Sequence, residues 1–187
     1  MMQPGAGEQV PDAALQHAEA APRGVAQTHA TLPSPVGPIT VSSDGAAIVR
    51  VAWRSAAPGG AVTDPLLAAA LEQLRAYFDG RLRRFDLPMG LTGVSPVARA
   101  VLETLETTVE WGSSVTYGEL ARREGSDVPA RAIGTIMGTN PLPLLIPCHR
   151  VVASDGLGGY SGGNRGRGLE TKRWLLEMEG VLPHSLF

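Results

Sequence analysis

The most informative stretch of this sequence is Asn140-Pro-Leu-Pro-Leu-Leu-Ile-Pro-Cys148-His149-Arg150-Val-Val152. Its residues are mostly apolar, which predicts a segment in the interior of the fold. However, Cys148, His149 and Arg150 stand side by side in its middle. Burying an imidazole or a guanidinium group without a partner costs several kcal/mol. We therefore expect specific partners for these side chains, and a core built around a chemically active group.

Cys148 is the single cysteine of the 187-residue chain, which excludes an intrachain disulfide and a cysteine-rich zinc site. A lone cysteine is more often a small buried hydrophobe than a reactive thiol. A thiol attacks only as thiolate, so a reactive Cys148 would need a base. His149 is the nearest candidate. Adjacent side chains of an extended segment point to opposite faces, so contact would need a turn or a bridging water.

A carboxylate near the end of the chain could complete this site. Glu179 or Glu177 could orient the imidazole of His149 and give a Cys–His–Glu relay of the kind that activates thiols. In the alternative interpretation, His149 is a hydrogen-bonded core residue and Glu179 is a solvated charge at a helix end. The residues alone support the two interpretations equally.

Before this stretch, the pattern predicts a small N-terminal α/β domain over residues 29–89. Two β-rich runs flank the turn signal Ser43-Asp44-Gly45, which favours a hairpin. Asp64-Pro65 is typical of a helix start, with Asp as N-cap and Pro in the first turn. Gly80 is expected to end that helix, and Arg81–Pro88 to form an extended segment.

A second, mainly helical domain is predicted over residues 93–180. Ser95-Pro96 begins one helix, and Thr116-Tyr-Gly-Glu119 fits a capping box that opens another. A third helix is expected over about Asp127–Gly138, and a last one over Leu169–Met178. The short middle pair resembles a helix-turn-helix, which by itself is a weak indication of DNA binding.

The bulk properties limit the remaining possibilities. Residues 1–28 and 181–187 are expected to be tails, the first of them disordered because it lacks periodicity. No apolar run reaches the roughly 18 residues of a membrane span, so we expect no membrane association and a cytoplasmic protein. With a net charge of −2, nucleic-acid binding would depend on a local basic patch.

Several motifs in order resemble one family. Pro147-Cys148-His149-Arg150-Val151 resembles the active-site signature of the O6-alkylguanine-DNA alkyltransferases, the methylated-DNA–protein-cysteine methyltransferases. Further resemblances lie at Ser34–Pro38, Gln73–Gly80, Phe85–Pro88, Val115–Ala121, Ala130–Gly134, Asn140-Pro141 and Lys172–Gly180. The resemblance implies an α+β protein: a ribonuclease-H-like α/β domain followed by a winged-helix-like, helix-turn-helix domain.

The resemblance also implies chemical roles. Cys148 would accept an alkyl group, His149 would act as base through a water, Glu179 would orient His149, and Asn140 would brace the turn. The reaction would be a single, irreversible transfer from O6-alkylguanine in double-stranded DNA, with no cofactor and no metal. Activity on O4-alkylthymine stays open.

DNA contacts are implied for the helix pair. Tyr117 would contact a phosphate and help rotate the nucleotide outward, and Arg131 would fill the gap in the base stack. Ala130 and Thr116 would also face DNA, with the recognition helix in the minor groove. The expected form is a monomer, and cooperative binding along DNA stays open. The guanine pocket would be lined by Met137, Val151, Tyr160 and Ser161.

Some departures from the family pattern and two rival functions remain. The helix after Gly93 lacks the usual aromatic packing residues, and Asn164–Gly168 looks like an insertion beside the pocket loop. Arg165 and Arg167 could contact phosphates, or the loop could bulge outward.

One rival is an alkyltransferase-like module that binds alkylated DNA without repairing it, although such relatives replace the cysteine. The other is a thiol hydrolase with multiple turnovers.

Overall fold

The computed structural model describes residues 27–54, 62–125, 127–164 and 166–183. Most of the predicted N-terminal tail, and residues 184–187 of the C-terminal one, lie outside the described residues. The architecture is α+β, as the sequence predicted. A three-stranded antiparallel sheet with one helix is followed by a mainly helical part that carries the signature.

The N-terminal sheet has the order β1-β2-β3, with β1 at Thr28–Leu32, β2 at Ile39–Ser43 and β3 at Ile48–Trp53. The predicted hairpin is β2–β3, with a bulge between Ser42 and Ser43. Strand β1 was not predicted, and its first residue falls inside the expected tail. It is an edge strand whose first residues are exposed, so it has no clear apolar alternation and depends on its pairing with β2.

Helix α1 spans Pro65–Phe78 and packs on this sheet. Asp64 is its N-cap as predicted: the side chain accepts from the backbone N–H groups of Leu66 and Leu67. Beyond the helix, Gly80 adopts φ +70°, which glycine tolerates best. The segment Arg81–Pro88 forms no strand, and directly after it Met89 makes an isolated bridge to Ile48 of β3.

The C-terminal part contains α2 (Pro96–Thr108), β4 (Val115–Thr116), α3 (Tyr117–Glu124), α4 (Ala130–Gly138), β5 (Val151–Val152) and α5 (Gly168–Met178). Ser95 caps α2, and the predicted capping box opens α3. Helix α4 begins later than predicted, because Pro129 has ψ 146° and is still extended. The short strands β4 and β5 pair in parallel and place the signature beside α3.

The two parts share one hydrophobic core. The backbone N–H of Val51 in β3 donates to the carbonyl of Pro141 at 2.9 Å, and the rings of Trp53 and Tyr160 meet edge-to-face. The N-terminal sheet therefore supports the segment that carries Cys148. Among the helices of the described residues, none combines the length and apolar character needed to cross a membrane.

Candidate active site

The signature does not run extended at its reactive residues. Cys148–Arg150 form one 3₁₀ turn, closed by a bond from the Arg150 N–H to the Pro147 carbonyl at 2.9 Å. All three residues of the turn are buried. The turn resolves the geometric objection to neighbouring Cys and His side chains, since successive side chains need not point to opposite faces there.

Asn140 braces the loop that leads into this turn. Its side-chain amide donates to the Ile146 carbonyl at 2.9 Å, and its side-chain oxygen accepts from the Leu142 N–H at 3.0 Å. Hydrogen bonding by the same side chain also lowers the pKa of the Cys148 thiol. Asn140 therefore shapes the loop and also affects the ionisation of the thiol.

The imidazole of His149 pairs with Glu179 and not with Glu177. His149 Nε2 lies 2.9 Å from Glu179 Oε1, and both side chains are fully buried. The interpretation of Glu179 as a solvated helix-end charge is wrong. Nδ1 of His149 has no hydrogen-bond partner within the described part of the chain. With Nε2–H donating to the carboxylate, Nδ1 is the nitrogen that can accept a proton.

Besides His149, Glu179 accepts hydrogen bonds from Arg150 and Tyr77. Arg150 donates from Nε to Oε2 at 2.8 Å and from a terminal nitrogen to Oε1 at 3.0 Å. The Tyr77 hydroxyl donates to Oε1 at 2.8 Å. Burial raises the pKa of Glu179, but His149 and Arg150 outweigh it and lower that pKa to about 2. The carboxylate is therefore ionised at neutral pH.

Burial dominates the titration of the two reactive groups. It raises the pKa of the Cys148 thiol to about 11, against the lowering effects of Asn140 and Lys172. It also lowers the pKa of His149, although Glu179 acts in the opposite direction. His149 is therefore neutral near pH 7 and able to accept a proton, whereas the thiol needs help to lose one.

Lys172 is a further site residue, to which the sequence reasoning gave no role. It is fully buried in α5, and its ammonium donates to the carbonyls of Val151 at 2.6 Å and Gly159 at 3.0 Å. Burial lowers its pKa to about 8, while Cys148 acts in the opposite direction. The sequence did contain one signal that could have drawn attention to it: Lys172 is the single lysine among 16 lysine and arginine residues.

The thiol borders a cavity of about 260 Å³. The residues that line it are Tyr117, Gly134, Met137, Gly138, Cys148, Gly159, Tyr160 and Ser161. Three of the four predicted pocket residues are among them. Val151 is not: it is fully buried, in the strand β5 that pairs with β4. The hydroxyl of Tyr160 is buried and has no partner among the described residues.

The residues expected to face DNA lie at the starts of α3 and α4. Tyr117 is half-buried at the cavity, while Ala130 and Arg131 are exposed in the first turn of α4. Thr116 is used locally: its hydroxyl accepts from the Glu119 N–H at 3.2 Å, and its own N–H donates to the Glu119 carboxylate at 2.7 Å.

The insertion after the pocket loop contacts the N-terminal part of the chain at Asn164. Asn164 lies against Gly37 in the turn between β1 and β2, where a Cβ would overlap its side chain. Arg167 makes an exposed ion pair with Glu170 at 3.5 Å. Both Asn164 and Arg167 line a separate groove beside that turn. Residue 165 lies outside the described residues.

Comparison with known proteins identifies the family. The model of the 6-O-methylguanine DNA methyltransferase ribonuclease-like domain matches residues 28–91, and that of the corresponding DNA-binding domain matches residues 96–181. A methylated-DNA–protein-cysteine methyltransferase of Metallosphaera sedula is 41% identical over 155 residues, which cover 82% of this chain and 94% of the relative. The chain belongs to the methylated-DNA–protein-cysteine methyltransferase family. The sequence-based assignment to this family of DNA-repair methyltransferases is confirmed.

Solved structures of the family agree. The crystal structure of the Mycobacterium tuberculosis O6-methylguanine methyltransferase is similar at a TM-score of 0.70 and 32% identity, covering 86% of this chain and 98% of that one. M. tuberculosis OGT in complex with DNA is similar at a TM-score of 0.68 and 35% identity, covering 81% and 92%. The fold prediction for this methyltransferase-family chain is therefore confirmed, and a DNA-binding domain is part of it.

Proposed function

We propose that this protein repairs DNA by transferring an alkyl group, in particular a methyl group, from the O6 atom of guanine to the sulfur of its own Cys148. One observation carries the proposal: a buried thiol borders a cavity and stands in one turn with a histidine that is paired to a buried carboxylate. This is the arrangement of an activated nucleophile.

The reaction begins with removal of the thiol proton. Nδ1 of His149 accepts it through a water, while Nε2–H donates to Glu179 and keeps the imidazole oriented. The thiolate sulfur then bonds to the alkyl carbon, and the carbon–oxygen bond breaks with its electron pair passing to the guanine oxygen. The proton that left the thiol ends on guanine, so atoms and charge balance. Lys172 stabilises the thiolate electrostatically.

The product is a thioether on Cys148. A thioether has no good leaving group, and the surrounding side chains offer no chemistry to remove it. Each molecule therefore acts once, and the net transfer uses only the thiol and the alkylated base. No cofactor is part of the proposal.

Access to the alkyl group requires the nucleotide to leave the base stack, at a cost of a few kcal/mol. Tyr117, at the start of α3, lines the cavity and in this proposal contacts the backbone of the rotated nucleotide. Arg131 on α4, which is exposed, fills the vacated stack in this proposal. Ala130 and Thr116 lie beside them at the same helix starts. Entry through the minor groove gives little dependence on sequence.

The proposal includes a monomer acting on double-stranded DNA in the cytoplasm. A reducing compartment keeps the reactive cysteine as a free thiol, which the reaction requires.

Mass spectrometry tests the proposal. The intact protein is mixed with a duplex that contains one O6-methylguanine, and the matched control is Cys148→Ala. We expect one added methyl group on the peptide that contains Cys148, and none on the variant. Tight binding to the lesion without any added mass would instead indicate a binding module. Product beyond one equivalent would indicate a hydrolase, and either result would overturn the proposal.

A further inference from the structure

The histidine–carboxylate pair has a hydrogen-bond partner outside the C-terminal part. Tyr77, at the end of α1, places its hydroxyl 2.8 Å from Glu179 Oε1 and 3.5 Å from His149 Nε2. Its ring is fully buried and lies against the rings of Phe85 and Trp111. These contacts fix where the hydroxyl points.

One carboxylate oxygen is shared by three donors. Oε1 of Glu179 accepts from Tyr77, from His149 and from a terminal nitrogen of Arg150. Burial and the adjacent carboxylate raise the pKa of Tyr77 well above its usual value, so its hydroxyl stays a neutral donor over the working pH range. Each added donor takes part of the negative charge that would otherwise attract a proton to His149.

We propose that Tyr77 is a positioning residue of the N-terminal part that, by donating to the carboxylate oxygen used by His149, keeps the imidazole neutral and ready to accept the proton of the Cys148 thiol. This inference rests on the proposed function of His149 as the base. Through Tyr77, the N-terminal part of the molecule contributes directly to the reaction.

Other groups around His149 also affect whether its imidazole is protonated. Glu179 favours the imidazolium form, whereas Arg150 and Lys172 disfavour it. The ring of Tyr160 stands edge-to-face beside the imidazole. Tyr77 differs from Arg150 and Lys172 because its side chain is neutral. Its hydroxyl can therefore be removed without changing the net charge of the site.

The test is the pH dependence of methyl transfer in Tyr77→Phe, measured in single turnover at saturating duplex with O6-methylguanine. Loss of the donor should raise the pH below which His149 is protonated. We expect the acidic limb of the profile to move up by about one pH unit. Transfer should therefore be about tenfold slower on that limb and unchanged on the plateau. Phe85→Leu is the matched control, since it alters the packing around Tyr77 and keeps the hydroxyl.

A double-variant comparison shows whether Tyr77 acts through Glu179. In a Glu179→Gln background, Tyr77→Phe should shift the profile no further. NMR titration of ¹⁵N-labelled histidine in the DNA-free protein should show the same upward shift for His149. This second readout needs no alkyl transfer, so it separates failure of this inference from failure of the proposed function. Coincident profiles and coincident titrations for Tyr77→Phe and the unaltered protein would overturn it, as would an equal shift in Phe85→Leu.

Discussion

At the scale of single residues, the reactivity of Cys148 is a balance between burial and charge. Burial disfavours the thiolate, and the ammonium of Lys172 and the side chain of Asn140 counteract it. The same low-polarity surroundings strengthen each of these interactions, because charge is poorly screened away from water. The ionisation of the thiol therefore depends on a few nearby polar groups, chiefly Asn140 and Lys172.

Lys172→Met should make the thiol less acidic and slow its reaction. We expect the pH at which Cys148 reacts with iodoacetamide to rise by about one unit, with about tenfold slower methyl transfer at neutral pH. The matched control is Arg173→Met, which removes the same charge from an exposed neighbour on α5. If both variants keep the pH dependence of the unaltered protein, Lys172 has no electrostatic role.

At the scale of elements, the starts of α3 and α4 are the parts of the molecule proposed to contact DNA. Helix α3 begins with a capping box, so the position of Tyr117 is set by local hydrogen bonds. Helix α4 begins directly after Pro129 and exposes Ala130 and Arg131 in its first turn. The two helices pack against each other, and the second half of α4 lines the cavity through Gly134, Met137 and Gly138.

Thr116→Ala should remove the cap of α3 and lower the free energy of unfolding by about 1 kcal/mol. Urea denaturation measures this loss. Thr116→Ser keeps the hydroxyl, so it should retain most of the stability. Equal losses in the two variants would show that the methyl group of Thr116, and not its hydroxyl, matters for α3.

Arg131→Ala should slow methyl transfer from duplex DNA about tenfold, which corresponds to about 1.4 kcal/mol of lost support for the open base stack. Transfer from a single strand carrying the same base should change little, since no stack has to be opened. Arg122→Ala removes the same charge from an exposed position on α3 and serves as control. An equal loss on both substrates would contradict a role in the stack.

At the scale of the whole molecule, the two parts meet at the reactive site. The N-terminal part contributes a backbone bond to the signature loop, an aromatic contact to Tyr160 and the Tyr77 hydroxyl to Glu179. Glu179 and its partners are buried between them. The stability of the fold and the ionisation of the site are therefore coupled.

This coupling predicts a loss of stability in acid. The pKa of Glu179 is lowered from 4.5 to about 2 in the folded protein. Below pH 4.5, Glu179 is protonated in the unfolded chain but stays ionised in the folded chain. Its contribution to the free energy of unfolding is therefore lost between about pH 4.5 and 2. It amounts to about 3 kcal/mol at most. His149, whose pKa is lowered from 6.5, acts in the same direction from higher pH.

Denaturation at a series of pH values measures this effect. Glu179→Gln should flatten the decline in unfolding free energy below pH 4.5. Glu103→Gln, which removes an exposed carboxylate from α2, is the matched control. Parallel curves for Glu179→Gln and the unaltered protein would contradict the coupling.

The features that the sequence predicted correctly are local ones. The caps at Asp64, Ser95 and Thr116 and the turn at Ser43–Gly45 depend on neighbours within a few positions. Strand β1 was not predicted, because it depends on its pairing with β2. The start of α4 was predicted too early, because Pro129 is still extended. The motif around Cys148 was specific enough to identify the family.

By itself, then, the sequence determined the family and most of the elements, and it predicted Cys148 as the nucleophile, because these follow from residue types at short spacing. Only the tertiary structure decided which carboxylate pairs with His149, that Val151 does not line the cavity, and that Tyr77 and Lys172 belong to the site. Tyr77 and Glu179 are 102 positions apart. Their contact exists because α1 and the end of α5 are packed around one core, which no local pattern records.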